Sequence, residues 1–488
     1  MEKDIGRLVR DYFKKKGLPL RPALTFQDVS IVTGYSKIRR RSDLKDFQVR
    51  LSDRFKINLP IVSANMQDVT GPRMAIALAR LGGLGFLPQF DSLEDRLEAL
   101  AKVKRADNER ISDPLTVSDK ATFGEARRLM AEYGVSGILV VDAENHLMGL
   151  ISSRDYRFLK DSDDSLPVTE IMTGIRMLSV GAPDISMEDA KNLLDEMRLE
   201  KLPLVDSGGK LCGLISVKDI EKRRQYPNAV RDSRGRLAVG VGLRLTGDYC
   251  EEAKRLLMAG ADVLLLDTAR AGAEMVVEVT RKLRLLFPEA NLVVGNVDNP
   301  EHVKLLAEAG ADCIKVGIGP GARCKTRIVA GVGTPQIHAI ASCAAVARSL
   351  GVYVIGDGGI RESGDFCKAL AAGADAVMIG SLLAGTDESP GKLTLENGQL
   401  KKKYRGSASE AHQEERIQKG SLGEIRNPEG ESASVPYAGS AERVVRSLID
   451  GLRSSESYAG CWNISEFQDR TQFLWVSSSG YEEGKPRT

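Results

Sequence analysis

Along most of the chain, short unbroken apolar runs alternate with longer amphipathic stretches. Eight runs read as strands: 59–66 (LPIVSANM), 83–89, 237–243, 262–269, 291–297, 312–319, 352–360 and 376–382. Each is rich in Val, Ile and Leu, as a strand covered on both faces must be. Between them lie helical patterns such as EEAKRLLMAG and EHVKLLAEAG. Gly-Ala-Asp recurs at 260–262, 310–312 and 373–375, each time closing a helix and opening a strand. Glycine suits the left-handed residue that ends such a helix. Eight βα units predict an α/β chain closed as a (β/α)8 TIM barrel. The rival is an open doubly wound sheet, which the strand count disfavours.

The second and third strands are separated by an internal repeat. GILVVDAENHLMGLISSRD (137–155) matches KLPLVDSGGKLCGLISVKD (201–219), and the offset is constant: Gly213 minus Gly149 and Asp219 minus Asp155 are both 64. An amphipathic helix precedes each copy (ATFGEARRLMAEYG, SMEDAKNLLDEMR). This helix–strand–turn–strand unit resembles the CBS domain family. The expected organisation is 1–109 for the first part of the barrel, 110–223 for a tandem CBS pair and 224–488 for the rest. The resemblance implies a purine nucleotide effector between the copies, with Asp155 and Asp219 near ribose hydroxyls; alternatively both aspartates merely cap the helix after them.

Residues 385–432 are polar and Gly-rich, as in DESPGK and KKKYRGSASEAHQEER. After an eighth strand such a segment predicts a flap over the catalytic face. SAERVVRSLIDGLRSS (440–455) reads as a closing amphipathic helix. A formal net charge of +2 and only 5% aromatic residues give no case for nucleic acid or a membrane surface. No apolar run approaches membrane-spanning length. The first residues, MEKDIGRLVRDYFKKKG, lack the apolar core of a signal peptide. Seven cysteines, an odd number without a CxxC, argue against disulfides or zinc and for a cytoplasmic, reducing compartment.

Chemistry concentrates in VGIGPGARCKTRIVAGVGTPQ (316–336), a Gly-rich loop behind a buried strand. Cys324 sits there beside Arg323, Lys325 and Arg327, cations of the kind that favour a nucleophilic thiolate. IGDGGI (355–360) puts Asp357 at a strand end before Gly358 and Gly359, an arrangement suited to a ribose. IGS (379–381) follows the last strand with Gly380 and Ser381, where barrels commonly bind phosphate. Together they suggest a 5′-nucleotide. LDTARAG (266–272) places Asp267, Thr268 and Ala269 for a second ribose. No GxGxxG follows a strand, so any nicotinamide cofactor must sit on the barrel face.

GIGPGARCKTR, GVGTPQ, GDGGIR, AVMIGSLLAGTDESPG, KYRG and PEG (428–430) are similar to the IMP dehydrogenase and GMP reductase family. The resemblance implies a bond from Cys324 to purine C2, a hydride step with a nicotinamide cofactor, and a homotetramer or octamer. It implies a monovalent cation such as K+ on the carbonyls of Gly319, Gly321 and Cys324, with Gly319 also near the cofactor. Gly406, in the flap start, falls among the substrate-binding positions. Dehydrogenases carry an Arg-Tyr pair in the flap, where Arg416 is here followed by Ile417. SANM, EIRNPEG and RTQFLWVS look like the reductase branch, which implies Arg426 for guanine and Glu429 as catalytic carboxylate coupled to Thr326. The expected reaction is NADPH-dependent reduction of GMP to IMP. The alternatives are an NAD-dependent IMP dehydrogenase and a nucleotide sensor with an inactive barrel. Ala322 stands where the family usually has a phosphate-binding serine, Lys325 replaces a threonine, and Ser407 and Ala408 replace Met-Ser.

Overall fold

The computed structural model describes residues 23–107, 110–111, 114–152, 154–157, 159, 163–406, 409–410, 413–414, 417 and 428–486. The chain divides into two compact units: Met1–Val103, Asn228–Val230 and Ala238–Thr488, and Lys104–Pro227 with Arg231–Leu237.

The first unit holds eight parallel strands: β1 (Ile61–Ser63), β2 (Leu84–Leu87), β3 (Gly240–Leu243), β4 (Val263–Asp267), β5 (Asn291–Val297), β6 (Cys313–Val316), β7 (Tyr353–Asp357) and β8 (Ala376–Ile379). They pair in sequence order, and β8 closes on β1 through Ile379 and Ser63. This is a (β/α)8 TIM barrel, as its alternating pattern predicts. The strands are shorter than their apolar runs. LPIVSANM, for example, leaves the ladder at Ser63, and its last residues turn over the barrel mouth.

The Gly-Ala-Asp triplets do two jobs at the other end of the barrel. Gly260, Gly310 and Gly373 are left-handed, with φ of 101°, 101° and 112°. The carboxylates of Asp262, Asp312 and Asp375 accept from the backbone N–H of Val239, Leu292 and Val354, each at 2.7 Å. Each aspartate thus ties the start of its own strand to the segment beside it. This end is the stability face of the barrel.

The segment 385–432 is more regular than an irregular flap. Leu393–Glu396, Gln399–Arg405 and Ser432–Pro436 form a three-stranded antiparallel sheet. Asn397 (φ 51°) and Gly398 (φ 76°) make the two-residue turn of its hairpin, a sequence signal present as Asn-Gly. The closing helix runs over Ala441–Ala459, capped by Ser440 Oγ at the Arg443 N–H.

The second unit repeats its own geometry. Helix Phe123–Tyr133 precedes the hairpin Gly137–Val141/Leu147–Ser152, and helix Met187–Glu196 precedes Lys201–Val205/Leu211–Ser216. Both hairpins shift register at equivalent points, Val140/Val141 and Leu204/Val205. The copies meet at the turns: Leu147 N donates to Gly209 O (3.1 Å) and Leu211 N to Asn145 O (2.9 Å). Under the offset of 64 these two bonds exchange, so the joint has a pseudo-two-fold axis. Leu139, Leu147, Leu211 and Leu214 bury a shared core there. The unit's ends are tied by Lys104–Asp232 (3.0 Å) and by Arg231 Nη1 on Asp107 O (2.9 Å), which carries it beyond the 110–223 segment. No described helix is long and apolar enough to cross a membrane.

Candidate active site

The C-terminal ends of the strands carry polar side chains into the mouth of the barrel. Lys315 on β6 is buried, with Nζ 2.6 Å from Asp357 Oδ2 on β7 and 3.0 Å from Asp267 Oδ1 on β4. Burial works against its charge, but the Asp267 and Asp357 carboxylates outweigh it and raise the ammonium above the usual lysine range. Asn65 Nδ2 donates to Asp267 Oδ2 (2.8 Å), and Gln89 Nε2 to Asp267 O (2.9 Å). Asn296 Nδ2 donates to Gly317 O (2.7 Å) and Asp357 Oδ2 (2.9 Å). The two aspartates read as ribose ligands are therefore also counterions of one lysine. The pattern reading missed Lys315, Asn296, Asn65 and Gln89. A lone lysine inside an otherwise apolar strand was the available signal, since a buried cation requires partners.

The cysteine loop leaves β6 through Gly317, where a side chain could not fit: a Cβ there would lie 2.0 Å from Asp357 O. Beyond left-handed Gly319 (φ 88°) the loop packs on the β7 loop, so that a Cβ on Gly358 would meet Gly321 N and Pro320 Cγ at 3.0 Å. Gly359 packs against Phe26 and Pro320. Cys324 N donates to Gly321 O (3.0 Å), closing a turn that presents the half-buried thiol.

Cys324 Sγ lies 3.1 Å from Thr326 Oγ1, which donates to Glu429 Oε2 at 2.7 Å. Glu429 is 103 residues away in sequence, and backbone pairing brings it in. Lys325 N donates to Glu429 O (2.7 Å), Glu431 N to Arg323 O (3.0 Å), and Gly406 N to Glu431 O (2.9 Å). Cys324, Thr326, Glu429 and Gly406 thus form one cluster, with a sulfur nucleophile and a hydroxyl–carboxylate path for a proton.

The flanking cations each have a partner of their own. Lys325 forms an ion pair with Glu431, Arg323 lies over the Tyr404 ring (5.8 Å to its centroid), and Arg327 donates to Thr334 O. They fasten the loop to its surroundings. Cys313, Cys343, Cys367 and Cys461 are buried, and burial pushes each thiol up, Cys343 and Cys367 to about 12.

Gly380 and Ser381 start the short helix Ser381–Ala384 after β8. Beside them is a residue missed from the pattern. The Tyr404 hydroxyl lies 3.0 Å from where a Gly380 Cβ would be. Burial pushes this phenol up to about 12, so it remains a donor at neutral pH. Arg405 is bidentate on Asp68 (2.8 and 2.7 Å), which anchors the strand carrying Tyr404. Thr268 is held by Gly295 O (2.7 Å) and Asn296 N (2.6 Å), and Ala269 is exposed at the rim. Arg426, Ser407 and Ala408 lie outside the described residues, as does the side chain of Asp219. Asp155 is engaged internally: Oδ2 accepts from Ser152 N and Oγ, and Oδ1 from Thr173 Oγ1.

Fold and site together define a (β/α)8 barrel with a thiol, a hydroxyl and a carboxylate gathered on the loops at its mouth. Residues 23–487 match the IMP dehydrogenase / GMP reductase domain, and the chain belongs to that family. It is 43% identical over 469 residues to inosine-5′-monophosphate dehydrogenase of Aquifex aeolicus (strain VF5), covering 95% of each chain. It is 42% identical over 481 residues to the same enzyme of Bacillus subtilis (strain 168), covering 97% of this chain and 96% of that one. It superposes on GMP reductase from Trypanosoma brucei in complex with guanosine 5′-monophosphate with a TM-score of 0.91 at 36% identity, covering 97% of this chain and 99% of that one. The protein is accordingly an oxidoreductase of a family that uses a nicotinamide cofactor. One feature of the mouth fits such a cofactor: among the described residues, Asn296 Oδ1 is buried without a partner. It stands between Thr268 and Asp357, ready to accept from a carboxamide or a ribose hydroxyl.

Proposed function

We propose that the chain is a GMP reductase, converting GMP to IMP and ammonia with NADPH. The observation that carries the reading is in the flap. No tyrosine occurs between Tyr404 and Tyr437, so the flap has no phenol to activate a water against a xanthosine-type adduct. The Cys324–Thr326–Glu429 cluster is suited to a reaction that needs a proton donor instead.

GMP sits with its phosphate at Gly380, Ser381 and the Tyr404 hydroxyl and its ribose on Asp357. Gly358 and Gly359 let it approach, and Gly406 and Arg426 frame the base. Lys315 and Asn296 hold the Asp357 carboxylate in place. Cys324 sulfur bonds to C2 as its thiol proton passes through Thr326 to the Glu429 carboxylate. A proton passing from Glu429 through Thr326 goes to the amino nitrogen, the C2–N bond breaks, and ammonia leaves. When bound along Asp267, Thr268, Ala269 and Gly319, NADPH supplies the hydride that reduces C2. The C2–S bond then breaks, sulfur departs as thiolate, and IMP is released. Holding C2 against the sulfur is where phosphate and ribose binding contribute to rate. A monovalent cation such as K+ on the Gly319, Gly321 and Cys324 carbonyls would brace the loop. A homotetramer or octamer, and a purine nucleotide effector on a CBS-type pair in the second unit, complete the proposal.

The second reading, IMP dehydrogenase with NAD, is favoured by the 41–43% identity to relatives of that name. Absorbance at the nicotinamide band separates the two. Purified protein should consume NADPH when GMP is added. NADH production from IMP and NAD would overturn the proposal. A Cys324→Ala variant should be inactive in either direction, and retained turnover would remove the sulfur from the mechanism.

A further inference from the structure

NADPH differs from NADH by one ribose 2′-phosphate, so a preference between them requires a cation that the rest of the cofactor does not use. Most cations around the barrel mouth are already engaged. Lys315 is shared by Asp267 and Asp357. Arg244, just after β3, donates through Nε and Nη2 to Glu252 Oε2 (3.2 and 2.9 Å). Arg323, Lys325, Arg327 and Arg405 are held by Tyr404, Glu431, Thr334 and Asp68.

Arg270 differs from all of these. It is exposed, and among the described residues no hydrogen bond, ion pair or ring contact engages its side chain. Its backbone is nevertheless fixed on both sides. Thr268 exchanges hydrogen bonds with Gly295 O and Asn296 N, and Ala271 N donates to Asn296 O at 3.0 Å. Gly272 packs so closely on His302 that a Cβ would lie 2.5 Å from its ring. The guanidinium therefore stands on a pinned turn, one residue beyond the stretch Asp267–Ala269. A hydride donor must place its nicotinamide at the centre of the mouth, beside the sulfur. With Asp267–Ala269 as the cofactor stretch, the adenosine half would run outward over the rim beside this turn.

We propose that Arg270 reads the 2′-phosphate of the cofactor and sets the preference for NADPH over NADH. The inference rests on the reading of the chain as an NADPH-dependent reductase. A charged fork on a rigid turn, unpaired among the described residues, suits a phosphate dianion and has little to offer a bare 2′-hydroxyl.

The test is calorimetric titration of the full chain with NADPH and NADH, and with 2′,5′-ADP against 5′-AMP as cofactor fragments. Arg270→Ala should weaken NADPH and 2′,5′-ADP by roughly 10- to 100-fold, the range for a hydrogen bond to a charged group. NADH and 5′-AMP should change by less than about twofold. Arg270→Lys should keep most of the preference, and Arg270→Gln should lose it as Ala does, which serves if Ala melts early. Equal loss for both cofactors, an unchanged preference in Arg270→Gln, or no preference in the parent chain overturns the assignment. Failure of the underlying reading looks different: the parent chain would not oxidise NADPH with GMP. A parent chain that does so, with the preference surviving Arg270→Gln, removes only the role of Arg270.

Discussion

At the scale of single residues, the barrel mouth is organised around one buried ammonium. Lys315 joins two carboxylates, Asp357 on β7 and Asp267 on β4. Removing one partner from such a cluster costs more than the cluster itself contributes, because the charges left behind lose their compensation. Lys315→Met keeps the length and apolar stem but leaves Asp267 and Asp357 as like charges in one cavity. The expected loss is about 3–5 kcal/mol of barrel stability in urea unfolding. Asp267→Asn added to Lys315→Met should restore part of it by removing one charge. An unchanged midpoint for Lys315→Met would show that water already compensates the aspartates. Cys324, Asp357 and Asp267 were legible because each ends a strand or sits in a Gly-rich loop, where local chemistry shows in the sequence. Lys315 was not, because barrel closure, not the neighbouring sequence, chooses its partners. Tyr404 was hidden for a similar reason: its hydroxyl reaches Gly380 only once Arg405 has docked on Asp68.

At the scale of elements, all eight strands were legible because parallel strands buried on both faces read as continuous apolar runs. Their C-terminal limits were not, since the residues leaving the ladder remain apolar while they turn over the mouth. The hairpin at Asn397–Gly398 was missed although its turn signal was present, because the polar strands on either side read as flap. The closing helix Ala441–Ala459 hides a further feature. Glu456 is fully buried, and among the described residues neither carboxylate oxygen has a hydrogen-bond partner. Burial pushes this carboxyl up to about 8, with Asp46 and Glu466 adding to the rise and Arg453 opposing it. Near neutrality the folded protein holds a proton there that the unfolded chain has released. Its stabilising share is complete below the ordinary glutamate value and shrinks as pH rises towards about 8, a change on the order of a few kcal/mol. Asp375, raised to about 6 by burial, acts in the same direction but is finished earlier. The fall between pH 6 and 8 therefore belongs chiefly to Glu456. Glu456→Gln should flatten the melting temperature across that window and leave it little changed at pH 5. An equally steep decline in the variant would place the titrating group elsewhere.

At the scale of the whole molecule, the chain contains two cores that do not share residues. The barrel core is built from strands and the helices around them. The second unit has its own three clusters: one in each repeat, around Ile138 and Ile215, and one at the joint, around Leu147 and Leu211. Two units with separate cores need not unfold together, so two-state behaviour is not the expectation for this chain. Calorimetry should resolve two transitions, the larger belonging to the barrel because enthalpy scales with the number of residues. The joint allows each transition to be assigned. Leu214→Asp puts a carboxylate into the shared cluster, where burying an unpaired charge is strongly unfavourable. It should lower the smaller transition by several degrees and leave the larger in place. Lys315→Met should do the reverse, because its partners all lie in the barrel. If both substitutions moved a single transition together, the two units would fold as one cooperative body, and the autonomy of the second unit would have to be abandoned.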